Sequence, residues 1–182
     1  MANNIEKIKA FKCQSNDYET LLGHLAEEAK RLELRTKILT HNLSTVILLS
    51  HYTKASLPSV LLMAGCHGEE PAGVWGLLKY MKTLDPEIFK QVNISFVPVI
   101  NSTGFIAGTR ENIFGEVPNN NFLHNKTKKQ PSQDEQCLLD NLKIIKILAK
   151  EGYASFHEDL ELDEFYFYIY SNNKDQIANL DN

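Results

Sequence analysis

The apolar positions of the chain follow two rhythms, one helical and one strand-like. Leu21, Leu22, Leu25, Ala26 and Ala29 recur at helical spacing, and Asn16 or Asp17 before them is a suitable N-cap. Two short β-rich runs follow, Arg35 to Leu39 and Thr45 to Ser50, and His51 to Pro58 reads as a turn. Ser59 to Ala64 is a nearly continuous apolar run, the pattern of a strand buried on both faces. Gly65 to Gly68 breaks it, Pro71 suits the first turn of a helix, and Ala72 to Met81 has helical composition. Val92 to Val99 is a further strand candidate. The stretch from Ile100 to Ser132 is rich in Asn, Gly and Thr and reads as irregular. A segment that long within a compact domain is either functional or misassigned. Ser132 and Glu135 have the spacing of a capping box, with Leu138, Leu139, Leu142, Ile145 and Leu148 marking the apolar side of one helix. Tyr153 to His157 and the aromatic run Phe165 to Tyr170 read as strands, and Asp175 to Leu180 as a short helix. Alternating strands and helices predict an α/β fold in one domain spanning 1–182.

Composition narrows the function. The 182 residues are 43% hydrophobic and 23% charged, which suits one globular core and excludes a disordered chain. The net charge of −4 argues against nucleic acid or an anionic membrane as partner. No apolar run reaches the roughly 18 residues of a membrane span, and the N-terminus lacks the apolar stretch of a secretory signal. Three scattered cysteines (Cys13, Cys66, Cys137) do not make a disulfide scaffold. A reducing cytoplasm is the expected location.

Three constellations carry candidate chemistry. In Gly65-Cys66-His67-Gly68-Glu69-Glu70-Pro71, a buried strand gives way to a helix, the usual ligand crevice of an open α/β sheet. His67 and Glu70, three apart on a tight turn, can converge on one cation, and zinc accepts both ligand types. His157 ends another apolar run, 87 positions beyond Glu70. With it the set becomes two histidines and a glutamate, leaving a fourth zinc position open for water. The third constellation joins Asn101-Ser102-Thr103-Gly104-Phe105 to Arg110-Glu111-Asn112 and the polar loop Gly115 to Phe122. An arginine beside a metal can stabilise an oxyanion. A turn histidine, a core histidine and a solvated loop remain the plainer alternatives for the three. Cys66 reads as buried packing rather than as a nucleophile or soft ligand. His124 reads as a loop residue, Trp75 as core, and Lys126 to Lys129 as a basic loop too small for nucleic acid. Tyr166, Tyr168 and Tyr170 share one face of their strand and read as packing.

In this order the phrases Ala64 to Gly73, Pro98 to Phe105, Arg110-x-Asn112 and Phe156-His157-Glu158-Asp159 resemble the zinc carboxypeptidase superfamily of M14-type metallopeptidases. That superfamily includes the succinylglutamate desuccinylase and aspartoacylase branch. The resemblance covers roughly Leu57 to Tyr170. It implies an α/β/α sandwich around a mixed, mostly parallel sheet, with zinc at the strand ends. It also implies His67, Glu70 and His157 as metal ligands and Arg110 as the group that polarises the scissile carbonyl. The implied reaction is zinc-dependent hydrolysis of a peptide, carboxypeptidase-like. The alternative is deacylation of a small N-acyl amino acid held by Arg110 and Asn119.

Two departures from the family pattern bear on activity. The family phrase Asp-x-Asn-Arg-x-Phe reads Val117-Pro118-Asn119-Asn120-Asn121-Phe122 here. Asn119 and Phe122 match. Asn120 stands where an arginine clamps a substrate carboxylate, and it brings no charge. The family's catalytic glutamate lies well beyond the third ligand, whereas 25 residues follow His157. Glu158, Glu161 and Glu164 do not match that position. Glu158 is the nearest acid, and it serves as base only if the chain turns there, because neighbours on an extended strand point opposite ways. A truncated form, a compact relative with another base, and a non-catalytic metal-binding domain all fit. A short C-terminal part would leave apolar sheet surface that a second copy could cover, giving a homodimer.

Overall fold

The computed structural model describes residues 16–52, 54–119 and 130–158. Several sequence expectations lie outside these residues: Cys13, Asn120, Phe122, His124, Lys126 to Lys129, the strand Phe165 to Tyr170 and the helix Asp175 to Leu180.

Helix α1 (Tyr18–Arg31) starts at Asp17, whose carboxylate accepts a hydrogen bond from the Thr20 N–H at 3.0 Å. That satisfies one of the donors a helix leaves open at its start. Then come β1 (Arg35–His41), β2 (Ser44–Ser50), β3 (Ser59–Ala64) and α2 (Pro71–Thr83). A 3₁₀ turn (Pro86–Lys90) leads to β4 (Asn93–Val97), which stops just before Pro98, a residue that cannot donate to a ladder. α3 (Ser102–Ala107), α4 (Gln133–Asp140), α5 (Leu142–Leu148) and β5 (Gly152–Phe156) complete the described elements.

The five strands lie in the order β1-β2-β4-β3-β5. β3 pairs in parallel with β4 on one side and β5 on the other, whereas β2 runs antiparallel to both β1 and β4. Four of the five described strands thus share a direction, but two of the four pairings are antiparallel. The sheet is mixed, and parallel only in the half that carries the candidate site.

Strand alternation supplies two cores. Ile47, Leu49, Val60, Leu62, Ala64, Ile94 and Phe96 face α1, α2 and α3. Val46, Leu48, Leu61, Met63 and Val97 face α4 and α5. With helices on both faces the fold is a three-layer α/β/α sandwich. Burying leucines such as Leu21 and Leu61 completely contributes about 2 kcal/mol each.

Two expected elements change on folding. The single helix expected from Ser132 to Leu148 is two helices that break at Asn141. Its side-chain amide donates to the Cys137 carbonyl at 2.9 Å, competing with the helical backbone. The stretch expected to be irregular contains α3, capped by Asn101, whose Oδ1 accepts from the Gly104 N–H at 2.8 Å.

The Ser132 capping box is present. Ser132 Oγ accepts from the Glu135 N–H at 3.1 Å, and Glu135 Oε2 accepts from the Ser132 N–H at 2.6 Å, both groups buried. Ser132→Ala is expected to lower stability by about 1–2 kcal/mol in urea unfolding, because it strands a buried donor.

Candidate metal centre

β3 ends at Ala64, and Gly65 turns the chain with φ +65°. A β-carbon there would sit 3.1 Å from the Val99 Cα and 3.0 Å from Val74 Cγ2, so both space and backbone demand glycine. The turn carries His67 and delivers Glu70 to the N-cap of α2, with Pro71 at the helix start. The second approach comes from β5, whose Met63↔Ser155 and Ala64↔Phe156 register against β3 brings His157 beside the same turn. Nδ1 of His67 lies 2.6 Å from Glu70 Oε1, and Nδ1 of His157 lies 2.8 Å from Glu70 Oε2. One carboxylate therefore bridges two imidazoles from distant segments. Ligand atoms of all three residues lie within 4.8 Å of one another.

Burial pushes the Glu70 carboxyl up, but hydrogen bonds from His157 and His67 prevail and hold it at about 2. The neighbouring Cys66 sulfur and the Glu70 carboxylate together push His157 up to about 9, against the effect of burial. The centre is thus an ionised carboxylate held between two imidazoles at the strand ends, with His67 and Glu70 buried and His157 partly exposed.

Arg110 is brought to this cluster. Its Nη1 lies 3.1 Å from Glu69 Oε1 and 3.4 Å from Glu70 Oε1. The loop that carries it is tied at two places. Asn101 Nδ2 donates to the Arg110 carbonyl at 3.2 Å, while the Asn101 N–H donates to the Gly65 carbonyl at 2.8 Å. Buried Asn112 donates to both Asp134 Oδ2 and Glu116 Oε2 at 2.8 Å and accepts from the Phe114 and Glu116 N–H groups. Burial pushes Asp134 up, and Asn112 is among the groups that draw it back.

Glu158 lies just past β5, which stops at Phe156. Its carboxylate, however, accepts from the Ala72 N–H at 3.2 Å, at the positive end of α2. Its backbone N–H points at Glu70 Oε2 at 3.4 Å. The side chain thus caps the same helix start that carries Glu70. Asn119 is exposed, with φ +79°, and makes no hydrogen bond or ion pair to the cluster among the described residues. Asn120 lies outside those residues. Cys66 is buried in the α4/α5-side core, with its sulfur 3.9 Å from Ser155 Oγ. Sequence reasoning passed over two neighbours of the site: Glu69, which pairs with Arg110, and Ser155, whose Oγ is 3.1 Å from His157 Nε2. The signal for Ser155 is its place two residues before His157, the spacing that in an extended segment turns two side chains the same way.

Three solved structures resemble the chain over most of its length. All three are inferred metallopeptidases, from Shewanella denitrificans OS217, Shewanella baltica OS155 and Shewanella amazonensis SB2B, with identities of 36%, 34% and 39%. Their TM-scores are 0.74, 0.76 and 0.74, over 84%, 82% and 80% of this chain. The chain spans 56%, 58% and 57% of their lengths. The murein-tripeptide amidase MpaA from Escherichia coli O157, at 23% identity, shares the fold with a TM-score of 0.52, over 69% of this chain and 61% of its own. No curated protein sequence matches the chain. The model of the succinylglutamate desuccinylase/aspartoacylase catalytic domain matches residues 56–160, a span that holds His67, Glu70, Arg110 and His157. The chain therefore belongs to the succinylglutamate desuccinylase/aspartoacylase family, within the M14-type zinc carboxypeptidase superfamily.

Proposed function

We propose that this protein is a zinc-dependent hydrolase of an amide bond, in a peptide or in an N-acyl amino acid. The observation that carries the reading is the convergence of His67, Glu70 and His157 with the Arg110 guanidinium alongside. The donor set fits the ion: two imidazole nitrogens and a carboxylate suit zinc better than calcium or magnesium, which prefer all-oxygen cages. His67, Glu70 and His157 would hold it. Zinc supplies Lewis acidity, polarising a carbonyl and making a water nucleophilic near neutral pH.

The chain's own groups do the rest. Arg110, half-exposed and held near the cluster by Glu69 and Glu70, can turn a charged donor toward a carbonyl oxygen or a substrate carboxylate. Asn119 is the proposed additional polar contact, and Asn120 a neutral donor where the family has a cation. Glu158, next to His157 in the chain, is the proposed acid for proton transfer, and one of its carboxylate oxygens is engaged by the Ala72 N–H. The family match adds weight to the N-acyl amino acid reading, and the Shewanella relatives to the peptide reading. Buried, unpaired Cys66 and Cys137 are consistent with a reducing cytoplasm. No helix among the described residues is long and apolar enough to cross a membrane.

The test is turnover by the zinc-loaded chain of chromogenic peptides and of N-acyl amino acids, including N-acetyl and N-succinyl acidic ones. Preference for the second set assigns the deacylase branch, and preference for the first the peptidase branch. Bound zinc without turnover of either set would reduce the protein to a metal-binding domain.

A further inference from the structure

The strand that delivers His157 also delivers a group that nothing in the proposed reaction requires. Ser155 lies in β5, two residues before His157, which follows just past the end of the strand. Ser155 Oγ lies 3.1 Å from His157 Nε2, while the other ring nitrogen, Nδ1, lies 2.8 Å from Glu70. The imidazole is therefore held at both ends, by a carboxylate on the cluster side and a hydroxyl on the outer side.

We propose that Ser155 is a positioning residue that fixes the ring orientation and tautomer of His157 for metal binding. The inference rests on the reading of His157 as a ligand. For Nδ1 to present a lone pair to an ion, the ring proton must reside on Nε2. Ser155 Oγ is then the acceptor for that proton. Its own hydrogen has an onward partner in Cys66 Sγ, 3.9 Å away in the buried core. With Nε2 donating to Ser155 and Ser155 donating to Cys66, both hydrogens point away from the cluster and leave the Nδ1 lone pair for the ion. A partner on the far nitrogen of a ligating histidine raises its basicity and holds its plane, and losing such a partner typically costs 10–100-fold in metal affinity.

The register of the sheet makes the hydroxyl a preorganised partner. Ser155 is opposite Met63 in the β3–β5 ladder, one step before Ala64 and the turn that carries His67. Backbone hydrogen bonds, rather than a flexible side chain, therefore set the position of Cβ in Ser155. Serine and threonine can both place a hydroxyl there, and threonine suits a strand.

The experiment compares the unmodified chain with Ser155→Ala and Ser155→Thr. Zn2+ affinity is measured by competition with a chromophoric chelator, and the visible absorption of the Co2+-substituted forms is recorded. Metal-free thermal unfolding serves as the folding control. The expected result is a 10–100-fold loss of Zn2+ affinity in Ser155→Ala, with an altered Co2+ spectrum and an unchanged metal-free midpoint. Ser155→Thr is expected to restore both. Unchanged affinity and spectrum in Ser155→Ala, with metal bound normally by the unmodified chain, would overturn this inference alone. So would a loss that Ser155→Thr fails to restore. If the unmodified chain bound neither Zn2+ nor Co2+, the hydrolase reading would fall and this inference with it.

Discussion

Replacing either distant histidine is expected to empty the centre. Purified with zinc supplied, the unmodified chain should carry about one ion by elemental analysis, and His67→Ala and His157→Ala close to none. The magnitude follows from ligand number. Removing a first ligand from a three-residue set costs more than the roughly 10–100-fold of losing a supporting hydrogen bond. The two variants test different parts of the fold. His67 lies on the turn after β3, His157 just past β5, and only folding brings them to the same carboxylate. Equal loss in both, with circular dichroism unchanged, would establish one shared site. Zinc retained at the unmodified level in either variant would exclude that residue as a ligand. Glu70→Gln should also lose the ion, because it keeps the size of the side chain but removes the charge that both imidazoles face.

Gly68→Ala is expected to be the most damaging single-methyl change in the described residues. Gly68 packs directly on Gly104 in α3, and a β-carbon there would fall far inside 3.0 Å of the Gly104 carbonyl and the Phe105 nitrogen. These are backbone atoms of a capped helix and cannot swing aside. A loss of about 3 kcal/mol or more in urea unfolding is expected, at the upper end for overpacking. Because the turn also carries His67, the surviving folded fraction should bind zinc more weakly. Gly76→Ala is the control. It lies in α2 with open space around it, and should stabilise the chain by about 0.5–1 kcal/mol through helix propensity. A Gly68→Ala protein as stable as the unmodified chain would show that the close approach of this turn to α3 is not required.

Local signals made several elements readable from the sequence alone. Ser59 to Ala64 announced a doubly buried strand because both of its faces are apolar, and Ser132 with Glu135 announced a helix start at the correct residue. The break at Asn141 was hidden because the apolar spacing runs on through it, and the break depends on a side-chain bond to Cys137. The short helix after Asn101 was hidden because Thr103 and Gly104 are poor helix formers, and it is fixed by its cap and its contact with Gly68. At the site, His67 and Glu70 were legible as a local spacing. His157 gained meaning through its order along the chain relative to them. The cap made by Glu158 and the contact of Ser155 with His157 depend on how β5 turns and pairs, which no local pattern encodes.

The separation of the candidate ligands along the chain has a consequence for stability. Glu70 and His157 are 87 positions apart, and the segment between them contains α2, β4, α3, α4, α5 and β5. An ion shared by both residues ties the two ends of that segment together in the folded chain alone, because no preformed site survives in the unfolded one. Unfolding must then release the ion, so apparent stability rises with free metal by about 1.4 kcal/mol for each tenfold excess over the dissociation constant. The same residues that would serve chemistry thereby make the fold's resistance to unfolding a function of the metal supply around it.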